Sequence, residues 1–216
     1  MDRYILLIAV IIILIFGAVK GYTRGFLRIA VWFAGLIAIL FIVTKISPYV
    51  SDFLMENTKV YDHLKEKIVT EYEGNNEDLD SFGFPELIKD SINTNNTSEI
   101  YEKLAVTLFR DYIAGYLSSL AIRSGTFVGL FVLLAIIQFI VIMTIKIIEK
   151  IPVLRTFNRL LGMATGITIS LVVVWLFFLA VMMFFGRSFG SWVFAQVGAS
   201  RFLTYLFNNN ILFNLI

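Results

Sequence analysis

Lys20-Gly21-Tyr22-Thr23-Arg24-Gly25-Phe26-Leu27-Arg28 separates two uncharged apolar runs, residues 4–19 and 29–44. The segment carries basic side chains and no acidic one. Short basic segments beside membrane-spanning runs stay on the cytoplasmic side, so the charge of this segment predicts how the chain is oriented in a bilayer. This segment therefore separates the first two spans and also sets the orientation of the chain in the membrane.

The composition is that of a membrane protein. Hydrophobic residues make up 58% of the 216-residue chain, against roughly 45–50% in soluble domains. Residues 124–145 and 160–186 are further uncharged runs, long enough to cross the ~30 Å hydrocarbon core. The first two runs cover only about 24 Å each, and snorkelling of the flanking cations would extend them. No small-x-small cleavage pattern closes the first run, so we expect it to remain as a span.

These runs predict an all-α membrane protein with four transmembrane helices. We divide the chain into a first transmembrane pair at 1–46, a helical acidic soluble insert at 47–123, a second pair at 124–186 and an interfacial C-terminal tail at 187–216. Residues 45–123 hold 8 basic and 14 acidic side chains, whereas the rest holds 10 basic and 2 acidic. Because the basic charge lies beside the apolar runs rather than on a soluble face, we expect a lipid bilayer and no nucleic acid as partner.

The loop after the third run is also basic, with Glu149 as its one acidic residue. The positive-inside rule therefore places both short loops in the cytoplasm, and the insert and both termini outside it. The expected location is a membrane that the chain crosses several times. The inverted orientation stays open, because the N-terminal flank is uninformative.

The insert reads as a set of helices. Pro48 is expected to end the second helix, and Val60, Leu64 and Ile68 predict an amphipathic helix over 52–73. Residues 74–78 form a polar turn, and Pro85 suits the start of a helix over 86–92. Asn96 is expected to cap a helix that runs through about residue 121 towards the third span.

The tail is aromatic and carries one charge, Arg201. We expect it to lie along the membrane surface or to pack on the insert, rather than to form a fifth span. Three consecutive asparagines, residues 208–210, interrupt its apolar pattern. The aromatic residues that support this interpretation are Trp192, Phe194, Phe202, Tyr205, Phe207 and Phe213.

Small residues recur at four-residue spacing in two places, which lets helix backbones approach closely in lipid. They serve either packing within the chain or association into a homo-oligomer. The residues are Gly17, Gly21 and Gly25 in the first set, and Gly162, Gly166 and Ser170 in the second.

Two motifs resemble those of the CvpA family of colicin V production proteins. Gly21, Arg24, Gly25 and Phe26 match a G-x-x-R/K-G-F pattern, and the resemblance covers about residues 2–185. The insert and the tail are similar to Gram-positive forms. Some relatives carry a further basic residue near positions 168–170, which is absent here. The second motif, D/N-R-x-L-G-x-x-x-G, is matched by Asn158, Arg159, Gly162 and Gly166.

The resemblance implies a non-enzymatic scaffold or regulator that supports toxin production or export, or envelope homeostasis. It implies a bacterial cytoplasmic membrane as the location and an envelope or export protein as a partner, and we expect no cofactor. Arg24, Arg28 and Arg159 are expected to form a basic rim that contacts either lipid headgroups or a cytoplasmic partner.

The residues themselves offer no catalytic, metal or cofactor site. Cysteine is absent and His63 is the single histidine, which we expect to be solvated. The alternative function is a small homo-oligomeric channel or permease that uses the polar span residues. No acidic or basic residue lies in the middle of a span, which argues against proton-coupled transport. The polar residues in question are Gln138, Thr144, Thr165 and Thr168.

Overall fold

The computed structural model describes residues 4–71, 83–95, 109–144 and 155–216, and within them it shows helices and no strand. The predicted turn at 74–78, the expected helix cap Asn96 and the loop with Glu149 lie outside the described residues. The elements are α1 (Ile5–Arg24), α2 (Phe26–Asn57), α3 (Val60–Glu71), α4 (Glu86–Thr94), α5 (Phe109–Thr144), α6 (Arg155–Met182), α7 (Ser188–Gly198), α8 (Arg201–Asn208) and a 3-10 helix (Ile211–Leu215).

Four helices of the described ranges, α1, α2, α5 and α6, are long and apolar enough to cross a membrane. The predicted all-α, four-span fold is therefore confirmed. In α6, 56% of the most apolar window is buried inside the protein, against 17% in each of the other three. α6 is thus the central helix, and it packs against α1, α2 and α5.

The first helix does not end where the apolar run ends. α1 continues through the predicted loop to Arg24, and α2 begins at Phe26, so Gly25 alone joins them. The 20 residues of α1 cover about 30 Å, which matches the hydrocarbon core. Its last turns carry Lys20 and Arg24, so the apolar part of α1 still depends on snorkelling of these cations to span the core.

The prediction that Pro48 ends the second helix is wrong. Pro48 lies inside α2, which continues to Asn57. A buried stripe at four-residue spacing, formed by Ile39, Val43, Ser47 and Ser51, passes the proline without a change of register. Packing of this stripe against α5 and α6 outweighs the loss of one backbone hydrogen bond.

Two helices extend beyond the membrane into a folded cap. α2 has 32 residues and α5 has 36, so they measure about 48 and 54 Å. The helix predicted over 52–73 is divided by extended backbone at Thr58 into the end of α2 and α3. α3 packs along α5. We call α3, α4, α7, α8, the 3-10 helix and the part of α5 before residue 124 the cap.

The core of the cap is a cluster of phenylalanines from three parts of the chain. Phe84 of the insert lies edge-on to Phe185, which follows α6, with ring centroids 5.7 Å apart. Phe185 stacks on Phe194 of the tail at 5.4 Å, and Phe207 joins Phe194 at 6.2 Å. The tail therefore has a buried face and an exposed face. Phe194 and Phe207 lie on the buried face. The exposed aromatic residues of the tail are Phe189, Trp192, Phe202 and Tyr205.

Candidate functional site at the glycine crossing

The two sets of small residues meet each other within the chain. α1 and α6 run antiparallel, so that Gly17 faces Gly166 and Ser170, and Gly21 faces Gly162. A Cβ built on Gly17 would lie 2.6 Å from the carbonyl oxygen of Gly166, and one on Gly162 would lie 2.8 Å from the amide nitrogen of Phe26. The backbone of α6 therefore contacts that of α1 at Gly17 and that of α2 at Phe26, which only glycine permits. We call the contact between α1 and α6 the glycine crossing, or α1–α6 crossing.

Gly25 makes the reversal between α1 and α2 in a single residue. Its φ of 75° and ψ of 158° belong to a region that side-chain-bearing residues avoid. Its amide donates to the carbonyl oxygen of Gly21 at 2.9 Å. The side chain of Asn158 packs against Gly25, where a Cβ would lie 3.1 Å from its Cγ. The first residue of the second motif therefore covers the turn made by the first motif.

The cations of this end lie over aromatic rings of α1. The guanidinium of Arg159 is 5.6 Å from the centroid of Tyr22, and Nζ of Lys20 is 5.1 Å from that of Phe16. Arg24 ends α1 and is exposed. No acidic residue occurs in α1 or α6. The two motifs therefore lie together at one end of the bundle. We call this end, with the start of α2 and the end of α5, the basic end. The side chain of Arg28 lies outside the described part.

The polar span residues that the structure describes bond within the protein. Nε2 of Gln138 donates to the carbonyl oxygen of Trp32 on α2 at 3.2 Å. Thr165 and Thr168 donate to carbonyl oxygens of their own helix four residues earlier. The two hydroxyls thus bond within their own helix, and the amide joins two helices. The side chain of Thr144 lies outside the described part.

The asparagine run has a role that the sequence did not reveal. Oδ1 of Asn208 accepts from the amide of Leu87 at 3.3 Å and caps the start of α4, where Pro85 provides no side-chain cap. Nδ2 of Asn210 donates to the carbonyl oxygen of Trp175 at 3.2 Å. Nε1 of Trp175 donates to the carbonyl oxygen of Leu206 at 3.0 Å. The tail is thereby fastened to α6 and to the insert at once.

The described residues outside the basic end offer little catalytic or metal-binding chemistry. His63 is exposed on α3. Within residues 4–71, 83–95, 109–144 and 155–216, no group of three His, Cys, Asp or Glu side chains could hold a metal ion. Burial raises the pKa of Tyr61, a residue of α3, above 10.0. It lies beside Ser119 of α5, along which α3 packs.

Comparison with protein-family models, with curated proteins and with solved structures found no match to this chain. The resemblance to the CvpA family therefore stays a prediction. What stands without it is a multi-pass all-α membrane protein with a basic end and a folded cap.

Proposed function

We propose that the chain is a non-enzymatic membrane scaffold or regulator of the CvpA type, which supports toxin production or export, or envelope homeostasis. The observation that carries this proposal is the phenylalanine cluster that joins Phe84, Phe185 and Phe194. It fixes the insert and the tail to the end of the central helix as one unit. A folded cap on a packed bundle suits the presentation of a defined surface to a partner.

The partner surface is expected on the exposed side of α3, because its opposite side packs on α5. A photo-crosslinking residue at Glu66, which is exposed, should capture a protein of the envelope or of an export system in the native host. The matched control is the same residue at Ile137, an exposed apolar position of α5, which should capture no such protein.

Deletion of the chain should reduce toxin secretion or resistance to envelope stress, and the wild-type chain should restore it. Unchanged secretion and unchanged stress resistance after deletion would reject the proposal. Solute or ion flux in liposomes that contain only the purified chain would favour the channel or permease instead. Two observations argue against that alternative. The two sets of glycines contact each other within one chain, and Gln138 donates to the carbonyl oxygen of Trp32.

The proposed orientation has the basic end in the cytoplasm and the cap outside, in line with the charge of the short loops. The absence of cysteine allows a direct test. With an impermeant maleimide on intact cells, His63→Cys and Ser188→Cys should be labelled, whereas Thr23→Cys should react only after lysis. All three positions are exposed. The reverse pattern would place the cap in the cytoplasm.

A further inference from the structure

The charge of the basic end cannot be neutralised by the chain itself. Seven basic residues lie at the ends of the four spans on this side or in the loop between α5 and α6, together with Glu149 as the single acidic residue. The remaining acidic residues are Asp2 and those of residues 47–123. Glu149 can therefore offset only one of these seven positive charges, however that loop is folded. The basic residues are Lys20, Arg24, Arg28, Lys146, Lys150, Arg155 and Arg159.

The cations also lie at a defined height on the bundle. The glycine crossing brings α6 so close to α1 that the guanidinium of Arg159 reaches the ring of Tyr22. Lys20 lies one turn before Arg24 and lies over Phe16. Tyr22 is 40% exposed and Phe16 is 62% exposed. Since aromatic rings with a polar tip favour the headgroup level, Tyr22 places the guanidinium of Arg159 there.

Below the cations, towards the cap, the surface of α1 is an apolar wall. Ile12, Phe16 and Val19 are more than half exposed, and Leu160 of α6 is 49% exposed beside Arg159. Cations at the headgroup level above an apolar wall match an anionic phospholipid, whose phosphate would meet the guanidinium and whose acyl chains would lie along the wall. A free phosphate or an acidic peptide would leave this wall unused.

We propose that the α1–α6 crossing binds an anionic phospholipid, with Arg159 at its phosphate, Tyr22 holding Arg159 in place, and Arg24 adding positive charge at the same end of α1. The site is independent of the orientation of the chain and of the proposed function. Each basic side chain near an anionic headgroup strengthens binding about fivefold. Loss of one arginine should therefore weaken binding by about that factor, and loss of both by more.

The test is native mass spectrometry of the purified full chain in detergent, titrated with phosphatidylglycerol and with phosphatidylcholine of the same acyl chains. Phosphatidylglycerol should bind more tightly to the wild-type chain. Arg159→Gln and Arg24→Gln should each weaken its binding about fivefold and leave phosphatidylcholine unaffected. The matched control is Arg187→Gln, because Arg187 also lies 5.6 Å from a ring, that of Phe184, at the cap end.

Several outcomes would overturn the proposal. Equal binding of the two lipids, or an equal loss in Arg187→Gln, would show that the crossing does not select the headgroup. Displacement of phosphatidylglycerol by inorganic phosphate would reduce the site to a general anion site. Circular dichroism of each variant separates loss of fold from loss of binding, and Arg24→Gln tests the site without removing the contact with Tyr22.

Discussion

Gly166→Ala is expected to destabilise the bundle by about 1–3 kcal/mol, because the α1–α6 crossing has no room for a methyl group. A Cβ on Gly166 would overlap the carbonyl oxygen of Gly17 and lie 3.0 Å from the Cα of Gly21. Carbon atoms pack best at about 3.5–4.0 Å, so the contact with Gly21 alone requires the helices to separate by roughly 0.5–1 Å, and the overlap with the oxygen of Gly17 requires more. Such a gap forfeits about a quarter to a half of the dispersion energy of the pairs that separate. Both neighbours are backbone atoms and cannot rotate away.

The assay is reversible unfolding in mixed micelles, followed by circular dichroism while the fraction of denaturing detergent rises. Gly129→Ala is the matched control, since Gly129 is also a helical glycine of a span but has no atom within 4 Å of its Cβ position. Its free energy of unfolding should stay unchanged or rise by up to about 1 kcal/mol, because alanine favours a helix more than glycine does. If the two variants are equally stable, the backbone contact between α1 and α6 does not hold the bundle together.

Three further substitutions test other contacts. Gln138→Leu removes the bond to the carbonyl oxygen of Trp32 and should cost about 0.6 kcal/mol in the same unfolding assay; no loss would contradict a structural role for this amide. Asn208→Ala removes the cap of α4 and should cost about 1 kcal/mol, visible as faster hydrogen exchange over residues 86–94, and unchanged exchange would refute it. Burial raises the pKa of Tyr61 above 10.0, so its stabilising effect is complete below pH 10 and is lost as the pH rises through the raised value. The absorbance titration of the wild-type chain minus that of Tyr61→Phe should show one tyrosine that ionises late.

The number and order of the spans could be predicted because they depend on local properties. An uncharged apolar run of sufficient length is most stable as a helix across a bilayer, whatever its neighbours in the sequence are. The packing residues were also readable, since small residues at four-residue spacing favour close helix contact in lipid. Which partner they meet was not readable. Gly21 faces Gly162 across 141 positions of sequence, and nothing in either motif distinguishes that contact from one with a second copy.

The ends of the helices were harder to predict, because tertiary packing overrides local preference there. Pro48 disfavours a helix locally, yet the buried stripe on either side of it continues across the proline. In the tail, Phe194 and Phe207 are buried, yet their residue type does not distinguish them from the exposed phenylalanines nearby. Their helical spacing with Val197 and Leu203 could have indicated a buried face. Its partners, Phe84 and Phe178, belong to other elements and could be found only from the structure.

The basic segment that separates the first two runs has no loop of its own beyond Gly25. Its cations are therefore carried by helix ends whose positions the glycine crossing fixes. This joins two properties that a sequence pattern treats separately, the charge that orients the chain and the packing that closes the bundle. Arg159 reaches Tyr22 only because Gly162 lies against Gly21. A side chain at Gly162 would displace the guanidinium as well as the backbone, so loss of packing and loss of lipid binding should appear together there. At Arg24, beyond the crossing, they should separate.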